Sequence, residues 1–197
     1  SANSGAGANI SIGGTVNGAY TLTLNAGTKD INVTGVIGGV TPLAALNVTG
    51  NFTDNSNLSA TSFSSGAGAY NLAFLGSSTR ITDAITFANT GTLQIGDSAT
   101  DVFTASGGFT ATAPSAISLA GSIVSGGALT IGASGTPITL VANTSINTSS
   151  NNSALTIGGD VSGVNKTLDL NSGTAVTTTN AIGSSGNGLG AITITAD

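Results

Sequence analysis

Apolar and polar residues alternate one by one along most of this chain. Tyr20-Thr-Leu-Thr-Leu24, Asp30-Ile-Asn-Val-Thr34 and Leu46-Asn-Val-Thr49 alternate, as do Leu93-Gln-Ile95, Leu129-Thr-Ile131, Ile138-Thr-Leu-Val141 and Ile192-Thr-Ile194. A period of two predicts strands with one face inward and one toward water. Thr suits the outer face because it is both β-branched and polar. The pattern points Ile12, Leu22, Leu24, Val33, Leu46, Val48, Leu72, Phe74, Leu93, Ile95, Leu129, Ile131, Ile157, Leu168, Leu170, Ile192 and Ile194 inward. It points Thr21, Thr23, Thr130, Thr193 and Thr195 outward. The best helix candidate, Thr79–Ala88, fits a bent strand equally well, with Ile81, Ile85 and Phe87 apolar.

The strands recur in longer units. Ile10-Ser-Ile-Gly-Gly-Thr-Val-Asn-Gly18 returns as Leu155-Thr-Ile-Gly-Gly-Asp-Val-Ser-Gly163, and Thr21-Leu-Thr-Leu-Asn-Ala-Gly-Thr28 as Thr167-Leu-Asp-Leu-Asn-Ser-Gly-Thr174. The recurring unit spans residues 10-49 and 155-195. Looser echoes lie at Gly91-Thr-Leu-Gln-Ile-Gly96 and Gly127-Ala-Leu-Thr-Ile-Gly132. Apolar pairs step from Leu22/Leu24 to Leu46/Val48, Leu72/Phe74 and Leu93/Ile95, by 21 to 26 residues. Such steps, with Gly-rich corners, predict an all-β fold: a right-handed parallel β-solenoid (β-helix) of about eight rungs, each burying its face against its neighbours. Residues 1-197 then form a single repetitive segment. An antiparallel β-sandwich is the alternative, since it also strings together short alternating strands.

Composition narrows the chemistry. The chain holds no Cys, His, Met, Trp or Glu; its acids are eight Asp and its cations are Lys29, Arg80 and Lys166. Only 6% of residues are charged, while 39% are apolar and mean hydropathy is +0.35. There is ample material for a core, unlike a disordered chain. Without His, Cys or Glu, a Ser-His-Asp triad and imidazole or thiolate metal sites are excluded. A polysaccharide lyase on a β-helix needs acids and bases in a groove, which one Arg and two Lys scarcely supply. Asp97 and Asp101 are the closest acids that could meet around Ca²⁺, but a turn capped by an Asp side chain is the simpler reading. No catalytic site, metal or cofactor is expected. A net charge of −5 with three cations argues against nucleic acid and against anionic membranes. No apolar run is long enough to span a bilayer. The first residues, Ser1-Ala-Asn-Ser-Gly-Ala-Gly7, read as the start of a processed chain or an excised segment.

Two surface patterns remain. Asn-x-Ser/Thr sequons at Asn9, Asn32, Asn47, Asn51, Asn57, Asn143, Asn147, Asn151 and Asn165 offer glycan acceptors, though a chain this rich in Asn, Ser and Thr generates most of them by composition. The Thr-x-Thr pairs at Thr21/Thr23, Thr110/Thr112, Thr177/Thr179 and Thr193/Thr195 are not separated by a constant rung. That argues against a regular threonine face of the kind with which some solenoids bind ice.

The runs Leu22-Thr-Leu-Asn-Ala-Gly-Thr28, Gly35-Val-Ile-Gly-Gly39 and Thr41-Pro-Leu-Ala-Ala-Leu-Asn-Val-Thr-Gly50 resemble the β-strand repeats of filamentous-haemagglutinin-like and autotransporter-passenger exoproteins of bacterial surfaces. The likeness covers most of the chain as texture and brings no catalytic residues. It implies an extracellular or cell-surface location and a structural role as a stalk segment of an adhesin or filament. The alternative is a secreted subunit that assembles end to end through β-strands into a fibre, sheath or surface layer. Its partners would be further copies of itself or continuing repeats of the same chain, with cell-surface receptors or glycans as further partners. The likeness of residues 10-49 to 155-195 would let a last rung imitate the rung that a first rung expects.

Overall fold

A computed structural model describes residues 2–3, 7–183 and 188–197. The chain is an all-β solenoid of about eight turns, 2% helical. Among the described residues all inter-strand pairing is parallel, in one 14-stranded and one 5-stranded sheet, which removes the antiparallel sandwich. A 3₁₀ turn lies at Ser149–Asn151.

Each coil contributes to three ladders. The first runs through Ile10–Ile12, residues 31–33, 52–54, Leu72–Phe74, 93–95, 117–119 and 138–140, and closes on Asp160–Ser162. The second stacks Leu58 on Ile37 and then passes through residues 79–81, 103–105, 123–125, 145–147, 169–171 and 193–195. The third stacks residues 21–25 on 45–49 and 62–65. It resumes in Ile85–Thr86, Phe109–Ala111, Leu129–Ile131, Leu155–Ile157 and Val176–Thr178. Between residues 62–65 and 85–86, where the two sheets part, the contact is a ring pair, Phe63 with Phe87 at 6.0 Å, and an Ala88 N–H donated to Ser65 Oγ.

Long strands such as Thr21–Val33, Leu43–Asp54, Ala116–Ser125 and Pro137–Asn147 turn a corner and serve two ladders. Their register shifts at the corner, between Asn25 and Asp30 and between Leu119 and Gly121. Such corners need a backbone that side chains obstruct. Gly38 has φ +70°, and a Cβ there would lie 2.0 Å from the Ser59 carbonyl oxygen.

Stacking turns the inward positions into columns. Ile10, Ile31, Phe52, Leu72, Leu93, Ile117, Ile138, Val161 and Ile182 form one, stepping by 20 to 24 residues. All six phenylalanines meet in one stack across the middle coils, with ring centroids 5.3 to 6.3 Å apart in edge-on and tilted pairs. Of the residues expected inward, all but four are buried. Ile12 and Leu22 are half-buried. Ile192 and Ile194 are 44% and 54% exposed, although they sit in register on Leu168 and Leu170. These four belong to the outermost coils, where a residue has a neighbouring coil on one side only. Thr21, Thr193 and Thr195 are exposed, whereas Thr23 and Thr130 are half-buried.

The recurring unit is out of phase with the coils. Ile10–Ile12 lies in the first ladder, but its counterpart Leu155–Ile157 lies in the third. Leu22 and Leu24 lie in the third ladder, and their counterparts Leu168 and Leu170 in the second. The unit has moved round by one face, because every face asks for the same alternation. The two ends therefore present the unit turned by one face about the rod axis. Residues 184–187 of the second unit lie outside the described residues.

Candidate functional site

The chemistry-bearing side chains are spread along the rod. Asp97 and Asp101 do meet, in the corner between the first and second ladders. Asp101 is buried, and its Oδ2 accepts the N–H groups of Asp97 and Ser98, each at 2.9 Å. The oxygen a cation would need is filled by backbone donors, so the residue caps a turn. Partial desolvation and the neighbouring Asp101 carboxyl push Asp97 above the ordinary carboxylate range. Among the described residues no group of three or more acids comes together to hold a metal, and no helix is long and apolar enough to cross a membrane.

One acid is placed where the alternation asks for a hydrophobe. Asp54 follows Phe52 by two, so both point inward. In its column it takes its place after Ile12 and Val33 and before Phe74, Ile95, Leu119 and Leu140. It is 0% exposed. Oδ1 accepts the Ser56 N–H at 3.3 Å, and Oδ2 has no partner. Burial pushes its pKa from 3.8 up to about 7, against the weaker pull of that one hydrogen bond. The signal was present in the sequence: Asp54 stands two after Phe52, 21 after Val33 and 20 before Phe74.

The asparagines have structural work. A ladder climbs one corner: Asn9 Oδ1 accepts the Asp30 N–H, Asp30 Oδ1 accepts the Asn51 amide, Asn51 Oδ1 accepts the Asn71 N–H, and Asn71 Oδ1 accepts both the N–H and the hydroxyl of Thr92. Asn143 accepts the Thr167 N–H, and Asn151 donates to the Gly126 carbonyl. Asn147 accepts the Ser149 N–H and hydroxyl, and Asn165 holds a left-handed turn at φ 57°. A glycan on Asn51 would have to share an amide that already donates through its nitrogen and accepts through its oxygen within this ladder.

The threonines are more regular than their spacing implied. Thr86, Thr110, Thr130, Thr156 and Thr177 stand in register on five successive strands of the third ladder. The first four each stand between two buried residues, and Thr177 stands between half-buried Val176 and exposed Thr178. The Thr-x-Thr pairs hid this column because two of them, Thr110/Thr112 and Thr177/Thr179, give it one member each and the other two give it none, and because coil lengths vary. It presents a row of one methyl and one hydroxyl per coil at the inter-strand spacing of about 4.8 Å. Thr stacked on Thr is also a stable cross-strand pair, which accounts for the row without a ligand.

No family model, curated protein or solved structure matches the chain.

Proposed function

We propose that this chain is a non-enzymatic structural rod, a stalk segment of a bacterial surface adhesin or filament that works outside the cell. The carrying observation is the unbroken inward column from Ile10 to Ile182, in which each coil rests on the one before and supports the one after. Such a stack transmits length and stiffness. The scattered acids and cations, and asparagines spent on the corner ladder, support a mechanical reading over a catalytic one. Negative-stain imaging of the purified protein tests it. Straight rods of one width, about 40 Å long for eight coils at ~4.8 Å each, are the expected result. Irregular particles, or cleavage of any member of a polysaccharide panel, would sink it. Immunolabelling of intact producing cells tests the location.

A second reading, assembly end to end, is favoured by Ile192 and Ile194. They sit in inward positions yet stay exposed, and one more coil, from a second copy or from continuing repeats, would cover them. The expected contacts at about residues 1–20 and 180–197 include residues 1, 4–6 and 184–187, which lie outside the described residues. Proline at Ile194 removes a ladder donor. Sedimentation velocity over a hundredfold concentration range should show the wild type growing and Ile194→Pro staying small. A wild type that stays monomeric throughout leaves the plain stalk.

A further inference from the structure

A groove of about 430 Å³ lies on the second ladder, where three successive coils meet. One wall is the turn that carries Val36, Val40 and Pro42; the other side carries Asn57, Ser59, Ser78 and Arg80. The wall is built rather than loose. The Val40 N–H donates to Asn17 Oδ1 at 3.0 Å, and the tight Gly38 turn sets the Ser59 carbonyl directly behind it. Val40 is nonetheless 87% exposed, an apolar side chain held up into water.

Charge singles this groove out. The chain carries eight acids and three cations. None of the acids lines the groove, and one of the cations does. Arg80 stands outward between Ser59 and Thr104 in register. Among the described residues no group pairs with its guanidinium. Asn57 Oδ1 accepts the Ser78 N–H and the Ser77 hydroxyl, which leaves its amide N–H groups pointing away from that bond and unspent. The groove therefore offers unspent donors: a planar guanidinium, an amide and two serine hydroxyls beside a small apolar wall.

We propose that this groove binds an acidic saccharide, with a uronate carboxylate on Arg80 and the sugar ring against Val36 and Val40. A guanidinium takes a carboxylate through two parallel N–H bonds. Sugar hydroxyls accept from the serine and amide donors, and the C–H face of a pyranose covers exposed valine. A peptide fits less well. An extended peptide gains its affinity by pairing with a free strand edge, and here the floor strand Leu58–Ala60 is paired on both sides, with the Ser59 N–H already given to the Ile37 carbonyl. The net charge of −5 opposes an anion at long range, but that repulsion is screened beyond about 8 Å at physiological salt. The site is open and holds one charge pair, so the affinity is modest, with Kd of roughly 1 mM. Binding does not depend on the rod being a stalk, so it stands or falls apart from that reading.

Titrating the ¹⁵N-labelled full chain with trigalacturonate, and watching amide shifts, tests the assignment. The expected result is a saturable shift confined to Val40, Ser59, Ser78, Arg80 and their neighbours. Arg80→Gln should weaken binding at least tenfold while leaving the remaining spectrum unchanged, since Arg80 is an exposed side chain. The neutral trisaccharide of galactose should bind at least tenfold more weakly than the uronate. Arg80→Gln binding like the wild type, equal affinity for the neutral sugar, or shifts lying elsewhere on the rod would each overturn the proposal. A short peptide whose C-terminal carboxylate binds the groove more tightly than the uronate would overturn the saccharide assignment.

Discussion

Two stretches of one rod bury polar groups differently. The coils from Phe52 to Phe109 are filled by the phenylalanine stack, and there Asp54 Oδ2, Thr79 Oγ1 and Asn89 Oδ1 are buried without partners. The coils from Ile117 onward are aliphatic, and Asn171 Oδ1 is the comparable atom among the described residues. In that second stretch the buried hydroxyls are served. Ser125 donates to the Gly127 carbonyl at 2.8 Å, Thr144 to Ala142 at 3.1 Å, Thr148 to Ser153 at 2.6 Å and Ser172 to Ala175 at 2.8 Å.

The difference lies in donors and acceptors more than in the hydrophobes. A parallel ladder spends its backbone N–H groups, while each carbonyl keeps a second lone pair. Within the ladders a buried donor therefore finds a partner easily and a buried acceptor does not, whereas a corner leaves N–H groups free, as the ones Asp101 accepts. Asn89 shows both halves in one side chain: its amide nitrogen donates to the Tyr70 and Thr92 carbonyls at 3.0 Å, and its oxygen is left alone. An ionised carboxylate only accepts, so Asp54 is the worst case. Thr79 is the exception among hydroxyls. With Phe74 and Phe103 it lines a void too narrow for water.

The sharpest way to break this comparison is to put a carboxylate into the aliphatic stretch. Leu170→Asp at pH 8 loses a buried side chain and buries an unpaired charge, for an expected loss of about 5 kcal/mol or more in urea unfolding. Thr193→Asp, on an exposed position nearby, should change stability by less than about 0.5 kcal/mol. If the two variants swapped behaviour, the strand register would be wrong by one residue. Next comes Phe74→Ala. This ring contacts Phe52, Phe63, Phe87 and Phe103, so the cavity should cost about 4 kcal/mol by the same assay. A loss below about 1 kcal/mol would mean the stack is loosely filled. The smallest expected effect is Thr148→Val. It removes one buried hydrogen bond and should cost about 1 kcal/mol. No loss would show that serving a buried donor contributes nothing here.

Much of the fold was legible because alternation is a local property. Leu129-Thr-Ile131 declares its inward pair without reference to any other coil. What the alternation cannot declare is which face a strand occupies. Coil steps in the first ladder vary from 20 to 24 residues, so the unit at residues 10-49 and its echo at 155-195 land on different faces, and the threonine column stayed hidden among unequal spacings. The asparagines read only as sequons that composition generates, because their partners lie one coil away, about 21 residues along the chain. Arg80 stood in the sequence only as one of three cations for a related reason: its groove is made by three coils and exists in no single segment. Asp54 differs, since its parity was readable from Phe52 alone.

Asp54 tests most directly whether this solenoid shelters donors and penalises a carboxylate at an inward ladder position. Its folded value of about 7 lies above the ordinary 3.8. The folded protein thus holds a proton that the unfolded chain has released, and this contribution to stability is complete below about pH 4. It is lost as pH rises toward 7, for a total of about 4 kcal/mol. Asp54→Asn cannot titrate, and the other aspartates cancel when the two proteins are compared. Urea unfolding of both at pH 4 and pH 8 should show the Asn variant gaining about 4 kcal/mol on the wild type between the two conditions. A difference that is the same at both pH values would contradict the account, because it would mean that the Asp54 carboxylate is as well accommodated in the fold as in water.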